Sequence, residues 1–358
     1  MRPRERGLVS GGPSRRRRVA FGLAVPLLLL AAGEAAVRLA DPAPPAALIA
    51  TPLAHAFDQH GGPEFRHHPR LFWEVLPNLD GPLTGHADRT DALGLRNATA
   101  PGPRRPGTVR VLCLGDSCTY GLGVAFEDSW PARLAAEPRL DVINAGVPGY
   151  TSYQGLLLFD EKLAGTDPDV VVVEFGINDV APWPTPDGDE WAYLTDRQRA
   201  AHVRFAARPW GSALIGWIAG RVAVPAPERV PVATVLDAHT GVSPRVPPAD
   251  FEENVRRLAG LAPRAVLVAW TFRARVEGLR RGRPDAARSP VAGVRRMEVY
   301  RGILRRVAEE HGHGFVDVER LFIASGLSPT ELFVDDVHAS PRGAQLVADA
   351  VAAALEGR

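Results

Sequence analysis

Val109-Arg110-Val111-Leu112-Cys113-Leu114-Gly115-Asp116-Ser117-Cys118-Thr119-Tyr120-Gly121 is the stretch on which the fold turns. Val109 to Leu114 reads as a short buried strand, and it runs directly into a glycine and then a polar helix start. Gly115, without a Cβ, permits a tight turn. A serine at such a turn stands at the carboxyl edge of the sheet, and the backbone N–H groups around it face outward, as an oxyanion requires. Gly-Asp-Ser alone is a weak signal, since such triplets occur in many loops. The Gly-x-Ser-x-Gly elbow of another hydrolase fold is absent.

Working outward, the same strand-then-helix rhythm recurs. Leu140 to Ile143, Val170 to Val173, Ala265 to Trp270 and Phe315 to Val318 read as further strands; the β-branched run Val170 to Val173 suits a central parallel strand. Helical patterns cover Trp130 to Ala136, Tyr153 to Ala164, Phe251 to Leu261, Arg295 to Glu310 and Pro341 to Leu355. Alternating βα units predict an α/β fold: a three-layer α/β/α sandwich around a five-stranded parallel sheet. Active residues then collect in loops at the carboxyl ends of the strands. One segment breaks the rhythm. Pro182 to Pro248 holds Trp183, Trp191, Trp210 and Trp217, and a connection of that length is either a packed excursion or a lid over the pocket.

The chain has 358 residues and a net charge of +1, which argues against a nucleic-acid partner. Its basic residues are nearly all arginine, Lys162 being the only lysine. The two cysteines, Cys113 and Cys118, straddle the strand–turn–helix and point different ways, so neither a disulfide nor a metal site is expected. At the N-terminus, residues 1–18 form a basic tail ending in Arg15 to Arg18. An apolar run from Val19 follows and extends through Glu34 and Arg38, four apart and able to pair, to Ala40. This predicts a signal anchor over 19–40 with the remainder of the chain outside the cytoplasm, favoured over a cleaved signal peptide and a secreted or periplasmic product. Residues 41–107 read as a Pro- and Ala-rich linker followed by an extension, with short strands between Pro69 and Asn97 packed on the main domain at 108–356.

Three more strand ends carry polar residues. The second strand ends in Asn144-Ala145-Gly146, where a glycine lets the backbone approach a ligand or simply makes a turn. The third leads to Gly176-Ile177-Asn178-Asp179, where Asn178 offers a side-chain amide, or caps a turn. Near the C-terminus Asp335-Asp336-Val337-His338 precedes a helix; a carboxylate three residues before a histidine holds one ring nitrogen and leaves the other as a base. Asp116 and Asp179 read as supports of the site loops. Arg273 to Arg288 reads as a solvated loop, with anionic glycans or lipid headgroups as the functional alternative.

Taken together and in order, these blocks resemble the SGNH/GDSL hydrolase family over residues 108–356. The segment Asp91-Ala92-Leu93-Gly94-Leu95-Arg96 also resembles an upstream element of membrane-anchored members. The resemblance implies a flavodoxin-like sheet, Ser117 as nucleophile, His338 as base and Asp335 as its orienting carboxylate. It implies an oxyanion hole built from the N–H groups of Ser117 and Gly146 and the amide of Asn178, with neither metal nor organic cofactor. The expected function is an extracytoplasmic serine esterase working through an acyl-enzyme, on an ester partner such as an acylated glycan or lipid. An O-acyltransferase using the same residues is the alternative, and a non-catalytic glycan-binding assembly protein a third.

Overall fold

The computed structural model describes residues 15–40, 65–68, 70–82, 87–181, 195–198, 200, 214, 244–282 and 293–357. Most of the 182–248 insertion, and with it the lid reading, lies outside them.

Helix α1 (Arg15–Ala40) contains Pro26 and exposes Leu27 to Leu30. Arg38 Nε donates to Glu34 Oε1 at 2.7 Å, the expected pair one turn apart. Side chains here are described only from residue 24 onward, and among the described residues no helix is long and apolar enough to cross a membrane. Two antiparallel hairpins follow: β1 (Phe65–His68) with β2 (Phe72–Val75), and β3 (Asp80–Pro82) with β4 (Ala87–Arg89). They are not loosely appended. Leu71, Phe72, Trp73, Val75 and Leu95 are buried in the same core cluster as the main sheet. Each such side chain contributes roughly 1.5–3 kcal/mol when fully buried.

The main sheet is five-stranded and wholly parallel, in the order β6-β5-β7-β8-β9. Its strands are β5 (Val109–Gly115), β6 (Leu140–Gly146), β7 (Val170–Glu174), β8 (Arg264–Ala269) and β9 (Gly314–Asp317). β7 is buried at every position because strands flank it on both edges and helices cover both faces. One face carries α4 (Ser152–Leu158), α6 (Pro248–Ala259) and α8 (Gly293–His311). The other carries α3 (Trp130–Leu134), α9 (Val318–Ala324) and α11 (Pro341–Leu355). The three predicted layers are thus present. The chain leaves β5 first towards β6 and then returns on the other side to β7. That reversal opens a crevice at the carboxyl ends of these strands, lined by the short helices α2 (Ser117–Tyr120) and α5 (Ile177–Val180).

Two elements differ from expectation. Part of the arginine-rich run is a helix, α7 (Arg273–Arg280), rather than a solvated loop. A further turn of helix, α10 (Pro329–Leu332), closes the fold ahead of the His338 loop; its capping box joins Ser328 and Glu331. Short periods of this kind leave little apolar pattern in a sequence.

Candidate active site

Ser117 opens α2 at the end of β5, so its N–H has no intrahelical acceptor. Asp116 caps that helix, its Oδ1 accepting from Cys118 N at 2.8 Å. His338 arrives from the opposite end of the chain. Its Nε2 lies 2.8 Å from Ser117 Oγ, and its Nδ1 lies 2.6 Å from Asp335 Oδ2. With the proton on Nδ1, where the carboxylate holds it, Nε2 is the acceptor for the serine hydroxyl. The His338 loop is held independently by Asp335 Oδ1, which accepts from His338 N and Val337 N, and by Trp270, whose indole donates to Val337 O at 2.8 Å. Burial alone pushes the Asp335 carboxyl upward. The hydrogen bond and charge of His338 and the two backbone donors outweigh it, so Asp335 sits at about 2.

The expected oxyanion donors are placed unequally. Asn178 reaches the crevice at the start of α5, half-buried, its amide donating to Asp116 Oδ2 and to Tyr150 O, both at 3.1 Å. Gly146 is not brought to the site as a donor. Its N–H is taken by Asn144 Oδ1 at 3.0 Å. Gly146 is required for close approach instead: a Cβ there would lie 2.2 Å from Tyr120 N, within the helix that Ser117 opens. Three residues on, Gly149 has a positive φ of 79° and is half-buried, and no acceptor for its N–H is found among the described residues. Gly146 ends β6 and Gly149 lies in the loop after it, so the two differ in backbone conformation as well as in hydrogen-bond partners.

The model of the GDSL-like lipase/acylhydrolase family matches residues 113–346, well over half of the chain, and spans every residue just described. The chain belongs to this family. Among curated proteins it is similar to an arylesterase of Vibrio mimicus, 36% identical over 75 residues (20% of this chain and 38% of that one). It is similar also to thioesterase 1/protease 1/lysophospholipase L1 of Escherichia coli strain K12, 38% identical over 71 residues (19% and 34%). The chain thus spans little more than a third of these relatives' length. Solved structures similar to it include LAE5, an alpha/beta hydrolase enzyme from the Lake Arreo metagenome (22% identity, 69% of this chain and 95% of that one, TM-score 0.43). Another is Axe2, an acetylxylan esterase from Geobacillus stearothermophilus (20%, 69% and 94%, 0.43).

Behind Ser117 of this GDSL-family chain lies a pair of fully buried carboxyls, Asp116 and Glu174. Glu174 ends β7; its Oε2 accepts from Thr119 Oγ1 at 2.9 Å, and among the described residues no donor reaches its Oε1. Burial raises both, Glu174 well above the usual carboxylate range, and the charge of Asp116 raises Glu174 further. With Cys118 Sγ, their oxygens lie within 4.8 Å of one another. A cation there would need Cys118 as thiolate, yet burial and then the charges of Asp116 and Glu174 hold that thiol well above its ordinary value. Asp116 is also already committed to Cys118 N and Asn178. Burial and the neighbouring charge favour the protonated form of Glu174 beside Asp116. Glu174 leaves one signal in the sequence: a lone acid closing the apolar run Val170 to Val173.

Asp179, read from sequence as a support, ties two site loops together. Its Oδ1 accepts from Ser152 N at 2.9 Å and Ser152 Oγ at 2.5 Å, and its Oδ2 from Gly176 N at 3.1 Å. Burial pushes it up to about 7 against those Ser152 bonds, with the charge of Asp196 adding to the rise and Arg245 opposing it. Arg273, Arg275 and Arg280 of the Arg273–Arg288 run are engaged within the protein, whereas Arg281 is exposed. Arg273 pairs with Glu277, Arg275 with Glu298 and Glu319, and Arg280 donates to Phe322 O.

Proposed function

We propose that the chain is an extracytoplasmic serine esterase that cleaves carboxylic esters through an acyl-enzyme. The observation that carries this is the continuous contact Ser117 Oγ–His338 Nε2–His338 Nδ1–Asp335 Oδ2, at 2.8 and 2.6 Å, at the sheet edge where a parallel α/β fold gathers its reactive groups. Ser117 Oγ attacks the ester carbonyl as its proton passes to His338 Nε2, and Asp335 stabilises the resulting imidazolium. The tetrahedral oxyanion lies against the N–H groups of Ser117 and Gly149. It also draws one hydrogen of the Asn178 amide away from Tyr150 O, because bonds to a charged acceptor are about twice as strong as neutral ones. Collapse returns the proton from His338 to the leaving alcohol, and water then repeats the sequence to release the acid.

The location rests on the order of charges at the N-terminus. Arg15 to Arg18 precede the apolar run, and basic residues flanking such a run stay in the cytoplasm. An acylated envelope glycan or lipid is the substrate class that this location places within reach.

The test uses full-length protein. A fluorophosphonate is expected to label Ser117, short p-nitrophenyl esters to be hydrolysed, and Ser117→Ala to abolish both, with a fall in kcat on the order of 10⁶. Absence of labelling in the parent chain defeats the proposal. Faster acyl delivery to an added sugar hydroxyl than to water replaces the esterase with an O-acyltransferase.

A further inference from the structure

Three consecutive carbonyls of the loop after β6 are each gripped by a side-chain N–H from a different part of the chain. Trp73 Nε1 donates to Pro148 O at 3.0 Å, Arg245 Nη1 to Gly149 O at 2.8 Å, and Asn178 Nδ2 to Tyr150 O at 3.1 Å. A trans peptide points its C=O and N–H in opposite directions, and no cis bond occurs among the described residues. Fixing Pro148 O therefore fixes where Gly149 N–H points. Trp73 is buried on β2, in the N-terminal extension and outside the residues that match the family. It is itself locked. Its carbonyl accepts from Tyr150 Oη at 2.6 Å, its ring meets Tyr150 edge-on with centroids 5.5 Å apart, and the Arg245 guanidinium lies 5.6 Å from its ring centroid.

The same extension reaches the nucleophile. Arg96, buried at the end of the Asp91–Arg96 motif, donates to Tyr120 O at 3.0 Å, Gly121 O at 2.6 Å and Val124 O at 2.8 Å, with its guanidinium 4.8 Å from the Tyr120 ring centroid. These carbonyls are the end of α2 and the turn after it, which a helix of four residues cannot satisfy from within. Asp91 shapes the motif by accepting from Leu93 N and Leu95 N, and Asn97 stitches it to β6 through Asn144 N and Asn144 O.

We propose that Trp73 and Arg96 are positioning residues of the reaction: the N-terminal extension sets the direction of Gly149 N–H and the seat of the helix that carries Ser117. This rests on the esterase reading above. Neither side chain touches the reacting atoms. Each acts through the backbone donors that do, so its effect belongs to the transition state and not to ground-state binding.

The decisive variant is Trp73→Phe, which keeps a six-membered aromatic ring in the core and removes the indole donor together with its five-membered ring. On the full-length chain, kcat for p-nitrophenyl acetate is expected to fall roughly 10- to 100-fold with KM within about twofold, the scale of a slightly misplaced catalytic group. Affinity for a trifluoromethyl ketone that mimics the tetrahedral adduct should weaken by the same factor. Arg96→Lys is expected to slow fluorophosphonate labelling of Ser117 in addition, since a single ammonium cannot bridge three carbonyls. Arg70→Ala removes an ion pair of the same extension with Glu161, which grips none of the three turn carbonyls, and should leave kcat unchanged. Trp73→Phe with kcat within twofold of the parent overturns the inference. So does a variant whose KM, kcat and thermal midpoint decline together while ketone affinity holds. In both cases the parent still labels; a parent that does not label defeats the esterase reading itself.

Discussion

Carboxyl groups stand on both sides of Ser117, and the two sides are opposites. In front, Asp335 is half-exposed, accepts three hydrogen bonds from its own loop and sits at about 2. Behind, Asp116 and Glu174 are fully buried within the core, Glu174 Oε1 has no donor among the described residues, and both are raised. The same functional group is thus a permanent anion where donors converge on it, and a proton store where burial dominates. The front carboxylate pairs with the charge that develops on His338. In the back pair burial works against charge, and Asp116 caps α2 and holds Asn178.

The strongest way to break this contrast is Asp335→Asn. The loop keeps an acceptor for its backbone donors, but the imidazole loses its anionic partner and its fixed tautomer. Steady-state kinetics near neutral pH should show kcat reduced on the order of 10⁴-fold. A loss under tenfold would mean that Asp335 only shapes the loop.

A second prediction concerns stability and pH, where front and back carry opposite signs. Asp335 lies below its ordinary value, so its contribution is complete above about pH 4 and is lost as pH falls towards 2. Asp179, buried like the back pair and raised to about 7, favours the folded state in its protonated form. Its contribution is full below about pH 4 and is lost as pH rises towards 7. Thermal unfolding followed by circular dichroism should give a midpoint that declines between those values, and Asp179→Asn should flatten that decline. An unchanged slope in the variant would reassign the effect to another group.

The smallest effect is expected from Glu174→Gln. If Glu174 is protonated, a neutral isostere replaces it, and kcat should stay within about threefold of the parent, in contrast to the front-side change. A large loss of activity with an intact fold would show that Glu174 works as an anion.

Legibility in the sequence follows the same division between local and distant causes. Ser117, Asn178, Asp335 and His338 were readable because each lies at a strand end or beside a helix start, where period and turn chemistry mark the position. Asp116 and Asp179 were readable as supports for the same reason, and both hold site loops by hydrogen bonds. Gly146 was read as a donor, but its N–H is held by Asn144 Oδ1, and the alternative, Gly149, is set apart by a positive φ that the sequence pattern does not show. Glu174 was passed over because a strand pattern ends at its last apolar residue. Trp73 and Arg96 could be assigned to a packed extension but not to the site, since their acceptors lie 75 and 24 to 28 residues away in the chain. The roots of the insertion behave alike. Asp196 and Arg245 form a buried ion pair at 3.1 Å that also bonds Thr151 and Gln154, and nothing in the local pattern joins them.

The docked extension also has a history during synthesis. Trp73 leaves the ribosome well before its acceptor Pro148, 75 residues behind it, a delay of roughly 4–15 s at ordinary elongation rates. Through that interval the apolar stretch Leu71 to Val75 has no core to enter, and Arg245 and His338 are made later still. The nascent polypeptide is consequently most exposed to aggregation early and acquires its reactive serine contact last, so a chaperone that shields residues 71–75 is expected to raise the yield of active protein more than one that acts on the completed chain.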